Sequence, residues 1–309
     1  MNRSKLIGAT ALASVMAASA AHAEMSISGL FAGNLTDTDG GGLAHGVSTN
    51  SIYVSYSDSM DNGMGVGVMM SVTAAGIKTD VSIDTGMGTV TLGNGVDSAV
   101  DGMDGSPACF SLLLCGSSMN TNYNDGDDAS GNSVGYSNTI GGISFNITRG
   151  MEIATAAAVA ATPGSAGSAE VLGIDPVTSV AASTSIMGAT VKGGVSMIDY
   201  ESTAETDVDP SFITVAYSLA GLNLGYAVYD GDNGGEETQM GVGTSMMGYD
   251  VGITFATADL ATDVDYTMIS ASKGFGAASF GVDFTETDSA AAAGADDSDA
   301  WQFSYVVGF

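Results

Sequence analysis

The sequence predicts an all-β fold: a transmembrane, antiparallel, up-and-down β-barrel of about sixteen strands. Three observations predict it. Apolar residues alternate with polar or small ones over segment after segment, the period of a strand with one greasy face. The connections alternate between short Asp/Asn/Gly turns and long acidic, Gly-rich loops. Finally, a chain of net charge −29 is nevertheless 45% hydrophobic, with mean hydropathy of +0.25. Disorder requires low hydrophobicity together with high charge, so it does not fit. Beyond the first 23 residues no apolar run approaches the ~18 residues of a membrane helix. The apolar residues must therefore be spent in alternation.

Residues 1–23 read as a secretory signal rather than as fold. Arg3 and Lys5 supply a positive start, Leu6 to Ala20 an apolar core, and Ala21-His22-Ala23 an A-x-A cleavage site. Cleavage leaves 24–309 as the barrel, with Lys78, Arg149, Lys192 and Lys273 as its basic residues against 35 acidic ones. Nothing here can neutralise a phosphate backbone, so nucleic acid is excluded as a partner. Cations and cationic solutes fit the charge.

Along the chain, Met64, Val66, Val68, Met70 and Val72 alternate with glycines and other residues, and Ile77, Thr79, Val81 and Ile83 alternate with Lys78, Asp80 and Ser82. Ile143, Phe145 and Ile147 repeat the pattern, as do Leu222, Leu224, Tyr226 and Val228. Val251, Ile253 and Phe255 follow, then Phe280, Val282 and Phe284 around Gly281 and Asp283. Each run presents two unlike faces, as a strand requires. Strand starts fall near Met25, Ser51, Gly63, Gly76, Gly88, Ser133, Ile143, Val177, Ala189, Ser211, Leu222, Thr238, Tyr249, Asp265, Ala277 and Ala300.

Short connections are expected at Asp58 to Gly63, Asp84 to Gly88 and Thr139 to Gly142. Long ones are expected around Asp37, in "TDTDGGGLAHG", and around Glu205, Asp230 and Asp288. An even strand count puts both ends at one rim and lets the last strand pair with the first, leaving no sheet edge. The chain closes on "AWQFSYVVGF", in which Trp301, Phe303, Tyr305 and Val307 share one face and Gln302 and Ser304 the other. Lipid, or the aromatic girdle at its border, is what covers that first face.

With these elements in place the sequence resembles the general porins of Gram-negative outer membranes, of alphaproteobacterial type. "NSIYVSYSDSMDNGMGVGVMMSV" (Asn50 to Val72) resembles that family's second and third strands, and "MGTVTLGN" (Met87 to Asn94) its fifth strand. "NSVGYSNTIGGISFNIT" (Asn132 to Thr148) resembles the following hairpin, and the terminal Phe309 on an alternating strand resembles its assembly signal. The resemblance implies a homotrimer in the bacterial outer membrane, in contact with lipid and lipopolysaccharide (LPS). It also implies a passive channel without cofactor, and makes residues 95–131 a constriction loop folded into the pore.

That loop carries Asp97, Asp101, Asp104, Asp125, Asp127 and Asp128 as candidate pore-lining acids. Alternation turns Lys78, Asp80, Lys192 and Asp283 to the lumen as well, while the parity of Lys273 stays open. Porin eyelets set wall arginines against loop acids; no such arginine cluster exists here. The negative potential of clustered carboxylates instead predicts cation preference. Cys109 and Cys115, the two cysteines of the chain, are expected to form a disulfide, as exported cysteine pairs do.

Two other functions bear weighing. An outer-membrane enzyme would need a base near neutral pH, and after cleavage His45 is the one histidine, in a Gly-rich stretch read as a solvated loop. No G-x-S-x-G occurs, so no enzymatic activity is expected. A secreted calcium-binding adhesin is the alternative from another class. "DTDGGG", "NDGDD" and "DGDNGG" offer oxygen ligands, but none completes an EF-hand loop with its closing Glu. They are read as solvated loops that bind Ca2+ or Mg2+ weakly.

Overall fold

A computed structural model describes residues 24–38, 41–61, 63–73, 76–101, 103–112, 133–150, 177–198, 209–231, 235–259, 263–289 and 298–309. Sixteen strands form a single closed sheet in which every strand pairs antiparallel with its sequence neighbours and β1 pairs with β16. In chain order these are β1 (Glu24–Thr38), β2 (Gly42–Ser59), β3 (Gly65–Thr73), β4 (Gly76–Asp84), β5 (Thr89–Gly93), β6 (Ser133–Ile140), β7 (Ile143–Gly150) and β8 (Thr178–Ile186). The second half comprises β9 (Ala189–Met197), β10 (Ser211–Leu219), β11 (Leu222–Asp230), β12 (Glu236–Met246), β13 (Tyr249–Asp259), β14 (Val264–Phe275), β15 (Ala278–Ser289) and β16 (Ser298–Gly308). Among the described residues no helix is long and apolar enough to cross a membrane; the strands are the crossing elements.

The barrel is apolar outside and small and polar inside. Trp301 and Phe303 are exposed on the outer face while Gln302 and Ser304, between them, are buried within. The same division runs along β12 and β13, where Met240 and Phe255 face outward and Gln239 and Thr254 are buried. A soluble sandwich would bury the larger set, so this inversion is the signature of a lipid-facing wall.

Glu24 and Phe309 lie at one rim, together with the turns that join β2 to β3, β4 to β5, β6 to β7, β8 to β9, β10 to β11, β12 to β13 and β14 to β15. Three of those turns put a non-glycine residue and then a glycine at positive φ: Met187 and Gly188, Ala220 and Gly221, Met247 and Gly248. Paired positive φ values define the type I′ hairpin, whose twist matches that of the strands it joins.

Two sequence expectations are corrected. The stretch around Asp37 is a hairpin rather than a long loop: Thr38 pairs with Gly42 and Asp37 with Leu43, so β2 begins nine residues earlier than Ser51. Alternation of Leu43, His45 and Val47 carries the ladder past the glycines, and a bulge between Ala32 and Gly33 absorbs the extra residue. His45 is accordingly a strand residue and not a solvated loop residue. Its ring lies over Tyr305, with centroids 6.5 Å apart, and its Nε2 is 3.3 Å from the Tyr305 hydroxyl.

β5 is short, at five residues. Its ladder with β4 is finished by a side chain. The Thr79 N–H donates to Asn94 Oδ1 at 2.6 Å, and Asn94 Nδ2 donates to the Ile77 carbonyl at 3.3 Å. Asn94 thus satisfies β4 while the main chain leaves the wall and turns into the lumen.

Candidate functional site

The segment that leaves at Asn94 runs round the inside of the barrel. At its root Asp80, on the lumen face of β4, accepts a hydrogen bond from the Gly95 N–H at 2.8 Å. Further on, the Lys78 ammonium stands 3.9 Å from the Asp97 carboxylate, both half-exposed. The Asp97 carbonyl accepts from Thr148 of β7 at 3.4 Å, and the Ala99 N–H donates to Ser179 of β8 at 2.8 Å.

A turn follows, in which the N–H groups of Met103 and Asp104 both donate to the Val100 carbonyl. Ala99, Val100 and Met103 pack on Ala181, Phe212, Ala227 and Tyr229, which makes the core of this protein a contact between loop and wall. Burying these apolar side chains contributes roughly 1.5–3 kcal/mol each for the larger ones. The Tyr229 hydroxyl donates to the Asp104 carbonyl at 2.7 Å, and the Thr254 hydroxyl donates to the Ala108 carbonyl at 2.7 Å. Cys109 packs on Ala256 and Met268.

From Pro107 to Leu112 the wall beneath the loop is floored with glycine. A Cβ on Gly225 would collide with the Pro107 carbonyl, and one on Gly241 with the Ala108 carbonyl. At Gly243 and Gly252 it would lie 2.5 Å from Phe110, and at Gly281 3.0 Å from Leu112. Sequence reasoning missed these positions. The signal was present as glycine at lumen-facing, every-second positions of β11 to β15, but glycine has no hydropathy contrast to mark it.

Lys78, Asp80, Lys192 and Asp283 all lie at lumen-facing positions. Their surroundings differ from an open eyelet, however. Asp80 is 7% exposed beneath the loop root, and Asp283 is 1% exposed beneath the loop. The two carboxylates anchor the loop from below, whereas Asp97, Asp101 and Asp104 ride on it. Asp125, Asp127, Asp128 and Cys115 lie outside the described residues, as do residues 1–23, where a signal was expected. Cys109 is disulfide-bonded.

The other two cations face away from the pore. Lys273, whose parity was open, pairs with Phe280 on the outer face and holds its ammonium 4.1 Å from the Tyr249 ring centroid. Such a contact belongs to the aromatic girdle. Arg149 lies outside at the end of β7, donating to Thr178 Oγ1 at 2.5 Å. Of the four basic residues after position 23, only Lys78 and Lys192 face the lumen.

A closed sixteen-strand barrel with a polar bore and an inward-folded loop narrows the candidates to one kind of protein, and comparison decides it. A family model described as Gram-negative porin matches residues 8–245. The chain belongs to the Gram-negative porin family. No curated protein matches the sequence. Among solved structures, an anion-selective porin from Comamonas acidovorans aligns with a TM-score of 0.70 at 13% identity, covering 93% of this chain and 100% of that one. OmpT of Vibrio cholerae, as a loop-deletion mutant, aligns at 0.65 and 11% identity with the same coverages. A triple mutant of Rhodopseudomonas blastica porin aligns at 0.62 and 14% identity, again over 93% and 100%.

These identities carry the fold alone; the porin's selectivity has to be argued from its own residues. Porin family and barrel together place the chain in the outer membrane as a channel. The outward apolar face meets lipid, and the described loop residues between Gly95 and Leu112 pack on the inner wall.

Proposed function

We propose that this porin is a passive, water-filled diffusion channel for ions and small hydrophilic solutes that prefers cations, and that it works as a homotrimer. The charge distribution carries the reading. Asp80, Asp84, Glu237, Asp250 and Asp283 occupy lumen-facing wall positions, and Asp97, Asp101 and Asp104 lie on the loop. Against them stand two lysines, one of which, Lys78, already faces Asp97 at 3.9 Å.

A bore with low-dielectric walls focuses the field of fixed carboxylates and enriches cations. At ~0.15 M salt the screening length is ~8 Å, comparable with a narrow constriction, so a passing anion meets that field. No bond is made or broken; the solute gradient drives transport and the loop sets the sieve. The Comamonas porin is anion-selective. At 13% identity that property does not transfer, and the shortage of lumen cations here favours the opposite sign.

The test is insertion of the detergent-purified protein into a planar bilayer. Stepwise conductance from a heat-resistant oligomer supports the channel. A monomer that folds in plain buffer and leaves the bilayer silent supports the acidic calcium-binding adhesin instead.

A further inference from the structure

Glycine inside a strand is unfavourable relative to alanine, so a lumen-facing series of them needs a cause. Conformation is not the cause. None of Gly241, Gly243 and Gly252 has a backbone in the left-handed region, so each would accept an L side chain as far as φ is concerned. What excludes a side chain is the loop. Phe110 occupies the space above Gly243 and Gly252, and the Ala108 carbonyl occupies the space above Gly241, held there by the Thr254 hydroxyl at 2.7 Å.

We propose that Gly241, Gly243 and Gly252 set the aperture of the channel by letting the constriction loop lie directly on the wall, with Phe110 as the side chain seated there. The inference rests on the diffusion-channel reading above and names the positions that size the pore. The wall cannot yield: Gly252 is laddered to Gly243 on one side and to Ser270 on the other. A Cβ at Gly252 would stand 2.5 Å from Phe110 Cβ and Cγ. Relaxing that to the ~3.5–4.0 Å of carbon–carbon contact moves the loop about 1 Å or more toward the lumen. In a narrow pore such a displacement is read directly as lost conductance.

The collision at Gly252 is with Phe110, whereas that at Gly241 is chiefly with the Ala108 carbonyl, so the two separate in double variants. Single-channel conductance is measured for the unmodified barrel, Gly252→Ala, Gly241→Ala, Phe110→Gly, Gly252→Ala/Phe110→Gly and Gly241→Ala/Phe110→Gly. The expected result is a loss of conductance in Gly252→Ala that Phe110→Gly cancels, since only glycine removes the Phe110 Cβ as well as its ring, returning the double variant to the level of Phe110→Gly alone. Gly241→Ala is expected to lose conductance with or without Phe110, since its collision is with main chain. Unchanged conductance in Gly252→Ala, or a loss that Phe110→Gly does not relieve, overturns the proposal.

Amide exchange of residues 108–112 supplies a readout independent of conduction. Protection should fall in Gly252→Ala and return in the double variant; no change overturns the seat. If Gly252→Ala does not fold, the double variant must, and its failure is equally decisive. An unmodified barrel that conducts nothing refutes the channel reading and not the seat, which exchange still measures.

Discussion

Gly29 and Phe309 exchange both of their main-chain hydrogen bonds: the Gly29 N–H donates to the Phe309 carbonyl at 3.0 Å, and the Phe309 N–H to the Gly29 carbonyl at 3.1 Å. The phenyl ring lies where a Gly29 side chain would begin, and stacks on Phe31 with centroids 6.0 Å apart. The last residue of the chain is thereby the last pair of the closing seam between β1 and β16. Gly29→Leu is expected to displace the ring and weaken closure. The folded, heat-modifiable band on a cold gel should fall, and Phe309→Ala in the same chain should restore part of it. A Gly29→Leu barrel as heat-resistant as the parent contradicts this account of the seam.

The loop root makes a second prediction. Asp80 is buried and accepts from the Gly95 N–H, a hydrogen bond to a charged group, worth about 1.5–3 kcal/mol. Asp80→Ala should free the start of the loop without opening the barrel, and the single-channel trace should become noisier. Asp80→Asn retains an acceptor oxygen and should be much quieter. Equal noise in both variants would assign the effect to charge rather than to anchoring.

Turn strain makes a third. Met247, at φ 56°, occupies the left-handed region in a type I′ hairpin. Replacing it with Asn, which tolerates that region, should stabilise the barrel by about 1 kcal/mol. The check is the urea midpoint of the folding equilibrium in detergent. A lower midpoint would mean that the exposed Met247 side chain makes a compensating contact.

Cys109 is disulfide-bonded and packed on the wall, and Cys115 is its expected partner. Thiol labelling of the denatured, unreduced protein should modify neither cysteine. Replacing both with Ser should leave the barrel intact, because among the described residues each strand is laddered to its neighbours independently of the loop, while loop motion and current noise increase. Quantitative labelling of both cysteines would remove the disulfide from the account.

How much of this was legible beforehand differs by feature. The strands from Leu222, Tyr249 and Phe280 onward were plain, because bulky apolar residues recur at every second position against Asn, Gly and Asp. The true start of β2 was hidden, since Gly42 and Gly46 look like a loop until the ladder to Thr38 and Asn34 is drawn. The lumen-facing parity of Asp80 and Asp283 could be counted from sequence; their burial could not, because it depends on the route of a distant loop. Gly241, Gly243 and Gly252 were invisible for a related reason. A glycine floor becomes a feature only once its occupant, Phe110, is known. His45 was misjudged because nothing local says that Tyr305, 260 residues away, lies beside it.

The sign of the selectivity tests the central claim most directly, through the reversal potential of the purified protein across a dilute KCl gradient. With only Lys78 and Lys192 in the lumen against the wall and loop carboxylates, the potential should favour K+ and decline as KCl is raised and screening shortens. Converting Asp97, Asp101 and Asp104 to Asn should reduce it further at fixed salt. A reversal potential near zero, or one favouring chloride, would contradict the electrostatic reading of this pore while leaving its barrel intact.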